Sequence, residues 1–308
     1  MPSKKFSSTA TVATMSKKIL LQLDVDPHPS SFDAVVAVDA DVDHLLQYGN
    51  VECEAVESLV HGAMFTRGGD DLKNTALFIG GNDVVKAETI FRSVQKAFFG
   101  PVRVSVMLDA SGCNTTAAAA VASASKHVSL DDCTAVVLGG TGPVGRRVAQ
   151  MLARQNANVL LTSRSLNRAE SACKEIGEQV SSGNLEAAAP ENQDDFKALL
   201  EQADVIVASG AAGVELASKE LIHSLSKLRV AIDLNAVPPA GLGGVEAFDK
   251  AKPLHEGQDD GPVAYGPIGV GGLKMRTHKA AIAKLFTSNS LVLDADEIYD
   301  LTIEQMNR

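Results

Sequence analysis

Residues 134–152 contain the feature that most restricts the fold, an apolar run followed at once by a glycine turn and a helix-forming segment. The run at 134–138 is typical of a strand buried on both faces of a parallel sheet. Gly140, Gly142 and Gly145 then follow with G-x-G-x-x-G spacing, which suits a tight turn, close phosphate approach and close helix packing. The stretch predicts a dinucleotide site. A glycine turn used only for packing is the alternative.

The next apolar run indicates which dinucleotide would bind. Residues 158–162 predict a second strand, and it ends at Ser163, Arg164 and Ser165, with Arg168 one turn further on. An Asp or Glu at this place reads a free ribose hydroxyl, whereas guanidinium and hydroxyl groups suit a 2′-phosphate. We therefore expect NADP, with NAD possible but weaker. The alternative is that Ser165 caps a helix and that the arginines are merely solvated.

Strand and helix patterns alternate on both sides of this motif, which is typical of α/β proteins with open parallel sheets. The 308 residues are enough for two domains. We expect a disordered extension at 1–14, an N-terminal α/β domain at 15–125, a Rossmann-type parallel-sheet domain at 126–265, and C-terminal helices at 266–308 that return to the first domain. Because ligands bind at the carboxyl ends of such strands, the expected nucleotide-binding residues are Gly140, Thr141, Gly142, Pro143, Val144, Ser163, Arg164, Ser165, Arg168, Ser209, Gly210 and Asn235.

Composition excludes several classes of function. No apolar run approaches the length of a membrane span, and a formal net charge of -10 argues against nucleic-acid binding. The four cysteines are far apart, so we expect reduced thiols and a cytoplasmic protein.

Metal and nucleophile chemistry also lack support in the sequence. The acidic cluster Asp39, Asp41, Asp43 and His44 is interpreted as a solvated turn or helix cap, and no metal is expected. No G-x-S-x-G elbow or H-E-x-x-H string occurs. Hydride transfer by a bound cofactor is the chemistry that remains.

Longer strings carry a more specific signal. DASGCNTTAAA at 109–119, LGGTGPVG at 138–145, DLNAVPPAG at 233–241 and GVGGLKMRTH at 269–278 resemble the bacterial methylene-tetrahydromethanopterin dehydrogenases. The resemblance runs from about residue 15 to the C-terminus. It implies oxidation of methylene-tetrahydromethanopterin to the methenyl form with a nicotinamide acceptor, and a homo-oligomer, expected to be a trimer. Some family members also accept the tetrahydrofolate analogue, so the carrier stays open.

The resemblance also implies site residues. Lys274 is the expected catalytic-site lysine, although a surface lysine is the alternative. The methenyl product is a cation, which an ammonium beside the reacting carbon would repel, so Lys274 is expected on the carbonyl side of the pterin ring. The expected substrate-binding residues are Asp26, Asp109, Asn114, Thr115 and Gly271. A different Rossmann NADP oxidoreductase and a non-catalytic nucleotide sensor are the remaining alternatives.

Overall fold

The computed structural model describes residues 16–235, 237–255, 257 and 260–308. The expected extension at 1–14 lies outside these residues. Two sheets organise the described chain, one of five strands and one of seven. The strands are β1 Ile19–Asp24, β2 His44–Tyr48, β3 Thr75–Gly80, β4 Ser105–Leu108, β5 Thr134–Leu138, β6 Asn158–Thr162, β7 Asn184–Ala188, β8 Val205–Ala208, β9 Val230–Asp233, β10 Lys250–Pro253, β11 Val263–Tyr265 and β12 Val292–Leu293.

Ten α-helices connect and cover these strands within the described residues. They are α1 Ser31–Asp39, α2 Cys53–Met64, α3 Val84–Ala97, α4 Cys113–Ala124, α5 Pro143–Arg154, α6 Leu166–Gly177, α7 Gln193–Leu200, α8 Lys219–Ser224, α9 Pro267–Leu285 and α10 Ala295–Met306. Two short 3-10 helices at Gly69–Asn74 and Ala110–Gly112 precede β3 and α4.

The first sheet has the strand order β12-β4-β3-β1-β2, and all its neighbours are parallel. Alternate residues of its central strands face opposite sides, as the strand period requires. Leu23 and Ile79 belong to one core with α2 and α3. Leu20 and Phe78 belong to a second core with α1, α4 and α9. The sheet is therefore covered on both faces.

The second sheet has the order β10-β11-β9-β8-β5-β6-β7, and only the β10–β11 pair is antiparallel. This α/β architecture with parallel sheets confirms the predicted fold class. Its central strands β5, β8 and β9 are short, apolar and almost fully buried. Such strands are typical of sheets that have helices on both faces.

Helix α4 joins the two sheets and packs against α5, α9 and α10. Its alanines at 117–120 are fully buried, because small side chains let helix backbones approach closely. One core consequently runs without interruption from the first sheet through α4 to the second. The chain also returns to its beginning, since β12 pairs with β4 and extends the first sheet.

Helix α9 begins six residues earlier than the helical pattern from residue 273 indicates. The glycines at 266–272, which suggest a loop, belong to its cap and first two turns. A Cβ on Gly266 would overlap the carbonyl oxygen of Glu246, and one on Gly269 that of Asp249. Gly266 and Gly269 are therefore needed for close packing rather than for flexibility. In the described residues no helix combines the length and the apolarity that crossing a membrane demands.

Candidate active site

A cavity of about 580 Å³ lies at the carboxyl ends of β5, β6, β7 and β8, and we call it the glycine-turn cavity. Predicted nucleotide-binding residues form much of its wall. They are Thr141, Gly142, Pro143, Ser163, Arg164, Ser165, Arg168, Ser209 and Gly210. Strand ends of a parallel sheet are where ligands of α/β proteins bind.

The glycine turn has the geometry of a phosphate cradle. Gly139 adopts the left-handed region with φ +69°, and a Cβ there would lie 2.5 Å from the Cα of Gly210. The tight turn thus depends on Gly139, although the spacing gives that role to Gly140. A Cβ on Gly145 would lie 2.7 Å from the Cα of Gly140, which confirms that Gly145 allows close helix packing. Gly142 is the N-cap of α5, so the backbone N–H groups of that helix start at the cavity.

Two cationic side chains stand at the end of β6. Arg164 and Arg168 are both exposed and line the cavity, and within the described chain neither has an ion-pair partner. Ser165 is the N-cap residue of α6, as the alternative interpretation expects, yet its hydroxyl makes no capping bond to described backbone. Instead its N–H donates to Ser163 Oγ at 3.3 Å. The two guanidinium groups therefore remain available to an anion.

Three predicted nucleotide-binding residues lie outside the cavity wall. Gly140 packs under the turn, where a Cβ would meet Leu161. Val144 packs into the apolar cores. The Asn235 amide donates to the Pro239 carbonyl at 3.3 Å, and its oxygen accepts from Val237 N–H at 3.1 Å, so this side chain holds its own turn together.

The cavity wall also has members that the sequence did not reveal. They are Leu138, Gly139, Thr162, Pro190, Phe196, Ala211, Val214 and Leu216. Pro190 and Phe196 follow β7, a half-exposed strand without a clear apolar pattern. Once β7 is placed next to β6, its carboxyl end must lie at the same rim.

A second cavity, of about 550 Å³, lies at the carboxyl ends of β1, β3 and β4, and we call it the lysine cavity. Its wall comes from loops after these strands, from the start of α1, and from one residue of α9. The lining residues are Asp26, His28, Pro29, Ser30, Ser31, Phe32, Asp33, Gly81, Asn82, Ser111, Gly112 and Lys274. The sequence pointed only to Asp26 and Lys274 among them.

Lys274 reaches the lysine cavity from a helix that starts beside the second sheet. Its Nζ lies 4.1 Å from the ring centroid of Phe32, a cation–π contact. Beneath it, Ser111 and Gly112 both adopt left-handed backbone, and a Cβ on Gly112 would lie 3.2 Å from Lys274 Nζ. A glycine therefore leaves room for the lysine side chain. The structure places Lys274 in a cavity wall rather than on open surface.

The DASGCNTTAAA string supplies Ser111 and Gly112 to the wall of this cavity, while its Asp109, Asn114 and Thr115 are buried. Asp109 Oδ1 accepts from the N–H groups of Asn114 at 2.9 Å and Thr115 at 3.1 Å, while Oδ2 accepts from Thr115 Oγ1 at 2.6 Å. The Asn114 amide donates to Leu108 O and to Asp294 Oδ1. The geometry therefore favours a supporting role, and direct substrate contact by these three residues stays a prediction.

The other two predicted substrate-binding residues differ in position. Asp26 lines the lysine cavity, and its Oδ2 accepts from the backbone N–H of Asn82 at 3.1 Å and from its side-chain amide at 2.6 Å. Gly271 lies in the second turn of α9, outside the cavity wall, with open space where a Cβ would stand.

The acidic cluster near residue 40 has a structural explanation. Asp43 accepts from Lys17 Nζ at 2.9 Å and from the backbone N–H of Lys18 at 2.8 Å, just before β2. Over the part of the chain that the structure describes, no three His, Cys, Asp or Glu side chains are grouped as metal ligands.

A parallel sheet with a glycine turn, a helix N-terminus and a ligand-sized cavity at the strand ends defines the Rossmann class of dinucleotide-binding proteins. Residues 31–111 match the family model for the N-terminal part of methylene-tetrahydromethanopterin dehydrogenase. Residues 121–251 match the model for shikimate and quinate 5-dehydrogenases.

Two curated relatives come from Methylorubrum extorquens. The chain is 43% identical to the bifunctional protein MdtA over 94% of this chain and 99% of that protein. It is 32% identical to an NAD(P)-dependent methylenetetrahydromethanopterin dehydrogenase, again over 94% and 99%. The chain belongs to the methylene-tetrahydromethanopterin dehydrogenase family.

A solved structure gives the same fold at low sequence identity. Shikimate 5-dehydrogenase from Listeria monocytogenes aligns with a TM-score of 0.52 and 11% identity, covering 96% of this chain and 99% of that one.

Proposed function

We propose that the protein catalyses the reversible oxidation of methylene-tetrahydromethanopterin to methenyl-tetrahydromethanopterin by hydride transfer to NADP. The observation that carries this proposal is a pair of cavities, each at the carboxyl ends of its own parallel sheet, in a chain of this family. One cavity has the features of a nucleotide site, and the other has a lysine above an aromatic ring.

The glycine-turn cavity fits NADP. A pyrophosphate can approach Gly142, because the nearest atoms to a Cβ placed there are 3.7 and 3.9 Å away. The first turn of α5 supplies unpaired N–H groups and a positive dipole end. Arg164, Arg168 and Ser163 supply donors for a 2′-phosphate, which supports NADP over NAD.

NADP held by Gly142, Ser163 and Arg164 would supply the hydride acceptor for the one-carbon bridge, which would then carry a positive charge. The protein's share is orientation, exclusion of water and placement of charge. Lys274 holds the carbonyl edge of the pterin through its ammonium group, away from the carbon that becomes positive. Phe32 offers a half-exposed ring face beside Lys274 on which a flat heterocycle can stack.

The direct test is turnover with purified protein. Methylene-tetrahydromethanopterin and NADP are expected to give the methenyl absorbance and the reduced-cofactor absorbance together. Cofactor binding without turnover would instead support the nucleotide sensor, and turnover of other substrates only would support a different Rossmann oxidoreductase. A comparison of kcat/KM for the methanopterin and tetrahydrofolate carriers then distinguishes this activity from methylene-tetrahydrofolate dehydrogenase.

We also infer a domain division at 15–125, 126–265 and 266–308. It is supported by the positions of β1–β4 in the first range and β5–β11 in the second, with β12 returning to the first sheet. Limited proteolysis with mass spectrometry tests these boundaries.

A homo-oligomer, proposed to be a trimer, is supported by the exposed edge strand β2. Leu46 and Tyr48 on this strand border an apolar cavity of about 450 Å³, and light scattering tests the assembly. A cytoplasmic location is supported by four free cysteines, Cys53, Cys113, Cys133 and Cys173. Fractionation of cells that express the protein tests the location.

A further inference from the structure

His278 is a fully buried histidine on α9, one helical turn beyond Lys274. Neither of its ring nitrogens has a hydrogen-bond partner among the described residues. Buried polar atoms are nearly always hydrogen-bonded, so two bare nitrogens on one ring need an explanation. The ring is held by stacking on Phe78, with centroids 5.7 Å apart and planes 18° from parallel.

Two carboxyl groups face these nitrogens from opposite sides. Nδ1 lies 3.9 Å from Asp109 Oδ2, and Nε2 lies 3.8 Å from Asp33 Oδ1. Both distances exceed hydrogen-bond length by less than about 1 Å. Asp109 is fixed by its donors at the start of α4, whereas Asp33 lies in the first turn of α1 at the wall of the lysine cavity. His278 thus connects a fixed carboxylate with a carboxyl group that a ligand can reach.

The charges around Asp33 come from every neighbouring element. Asp24 at the end of β1 and Asp109 after β4 are negative, Lys274 and His278 face it from α9, and the Ser30 hydroxyl lies at the cap of its own helix. Burial, followed by the charge of Asp109, raises the pKa of Asp33 to about 7. Burial lowers the pKa of His278 to about 4. Between about pH 4 and pH 7 the proton of this pair therefore stays mainly on Asp33, and the imidazole is neutral.

A neutral imidazole has one donor and one acceptor nitrogen. Asp109 already accepts from three donors, so it suits an N–H from Nδ1. In the ligand-free protein Nε2 is then the acceptor, and it faces a protonated Asp33 that can donate to it. The three side chains thus stand in a row, at separations of 3.8 and 3.9 Å that a side-chain movement of less than about 1 Å would close to hydrogen bonds.

We propose that Asp33 is a further substrate-binding residue, whose carboxyl group accepts two adjacent N–H donors of the pterin ring, and that His278 is its positioning residue. This inference rests on the proposed function. A pterin presents a ring carbonyl, a ring N–H and an exocyclic amino group in a row along one edge. Lys274 suits the carbonyl, and an ionised Asp33 in the same wall suits the two donors beside it. Phe32 precedes Asp33 in the chain, and its ring centroid lies 4.1 Å from Lys274 Nζ.

Proton release is the consequence of this arrangement. Two N–H donors require two acceptor oxygens, so Asp33 must lose its proton when the carrier binds. Carrier affinity is therefore expected to rise with pH up to about 7 and then to level off, roughly tenfold between pH 6 and pH 8.

The first experiment measures the Kd of methenyl-tetrahydromethanopterin by calorimetry at pH 6, 7 and 8, with thermal melts of each variant. Wild type is expected to bind about tenfold more tightly at pH 8 than at pH 6. Asp33→Asn is expected to bind about tenfold to a hundredfold more weakly at pH 8, with little pH dependence. Asp296→Asn is the matched control, because its pKa is also raised, to about 6, but it lies on α10 outside the lysine cavity. The control is expected to keep the wild-type pH profile.

The second experiment isolates His278. His278→Gln, which keeps a donor and an acceptor, is expected to retain carrier affinity and the pH midpoint within about threefold and half a pH unit. His278→Phe removes both and is expected to shift the midpoint and to weaken binding by about tenfold, with cofactor Kd unchanged. A phenylalanine variant with wild-type affinity and midpoint would overturn the positioning role.

The outcomes separate this inference from the proposed function. If wild type turns over the carrier but Asp33→Asn binds it as tightly and with the same pH profile, the assignment of Asp33 is wrong and the function stands. If wild type neither binds nor oxidises methanopterin or folate carriers, both fail.

Discussion

The glycine-turn cavity is built around backbone atoms and small side chains, with Arg164 and Arg168 on its wall, whereas the lysine cavity brings carboxyl, ammonium and aromatic side chains together. The first depends on Gly139, Gly142, Gly145 and a helix N-terminus, all within one short stretch. The second combines α1, three loops and α9, and its buried support includes Asp109 and His278. The glycine turn of the first cavity is thus specified locally, whereas the lysine cavity depends on long-range packing.

The two cavities also differ in how far their charged groups are exposed to water. The glycine-turn cavity presents fixed dipoles and two exposed guanidinium groups, which cost little to keep solvated. In the lysine cavity, carboxyl groups lie close together in a partly buried place. Burial and mutual repulsion disfavour their negative charges, so the protonated form of Asp33 is favoured. We therefore expect the first cavity to be sensitive to shape and the second to be sensitive to pH.

The largest expected effect comes from adding one methyl group to the glycine turn. In Gly145→Ala the new Cβ would lie 2.6 Å from Ser209 Oγ and 2.7 Å from the Cα of Gly140. The helix must move, so stability is expected to fall by about 1–3 kcal/mol and NADP Kd to rise on the order of a hundredfold.

Gly142→Ala is the matched control for shape, measured by the same melts and titrations. Its Cβ meets no atom closer than 3.7 Å, so the Tm is expected to stay near wild type while NADP binding weakens. If Gly145→Ala and Gly142→Ala lower the Tm by the same amount, the close approach of α5 to the glycine turn at Gly145 is contradicted.

The next largest effect concerns cofactor choice. Arg164→Ala removes a guanidinium group from the wall at the end of β6 and is expected to weaken NADP by about tenfold to a hundredfold. NAD lacks the 2′-phosphate and serves as the internal control, with nearly unchanged KM. A wild type that prefers NAD, or equal losses for both cofactors, would contradict the assignment.

A smaller effect is expected from the lysine cavity itself. Lys274→Ala should lower kcat/KM for the pterin carrier by roughly tenfold while NADP Kd stays the same, because the ammonium group belongs to the other cavity. Lys279→Ala changes an exposed lysine on the same helix and is expected to match wild type. Steady-state kinetics of both variants provide the measurement, and equal effects would contradict a specific role for Lys274.

The last effect is on stability and pH rather than on ligand binding, and its sign follows from the raised pKa of Asp33. Between its ordinary pKa of 3.8 and about 7, the folded protein holds a proton that the unfolded chain has released. The folded state therefore loses stability as pH rises through this window, on the order of 2–4 kcal/mol in total. Asp33→Asn cannot ionise, so its Tm is expected to exceed that of wild type by roughly 4–8 °C at pH 8 and by less at pH 5. An equal gain at both pH values would show that Asp33 does not titrate in this way.

The same contrast explains what the sequence could predict. The glycine turn, the end of β6 and the loop after β8 follow directly from strand patterns and glycine spacing, because consecutive residues form each piece. Asn235 failed to reach the cavity wall because its side chain is used within the Asp233–Pro239 turn, a local hydrogen-bond pattern that strand order alone does not reveal.

The lysine cavity was less accessible to such reasoning. Phe32 and Asp33 resemble an ordinary helix start, and nothing in their spacing indicates that α9 will pack beside them. One signal was present, since Lys274 and His278 are four residues apart and share a helix face. It could have identified His278 once the lysine was assigned to a cavity.

The pairing of β12 with β4 has a consequence for biosynthesis. All strands of the second sheet lie between residues 134 and 265, so that sheet has its full set of strands while residues 292–306 are still unsynthesised. The first sheet, although it begins at residue 19, acquires its outer strand and the capping helix α10 only afterwards. On the ribosome, the seven-stranded sheet can therefore be complete before the five-stranded sheet, which reverses the usual N-to-C order of domain folding.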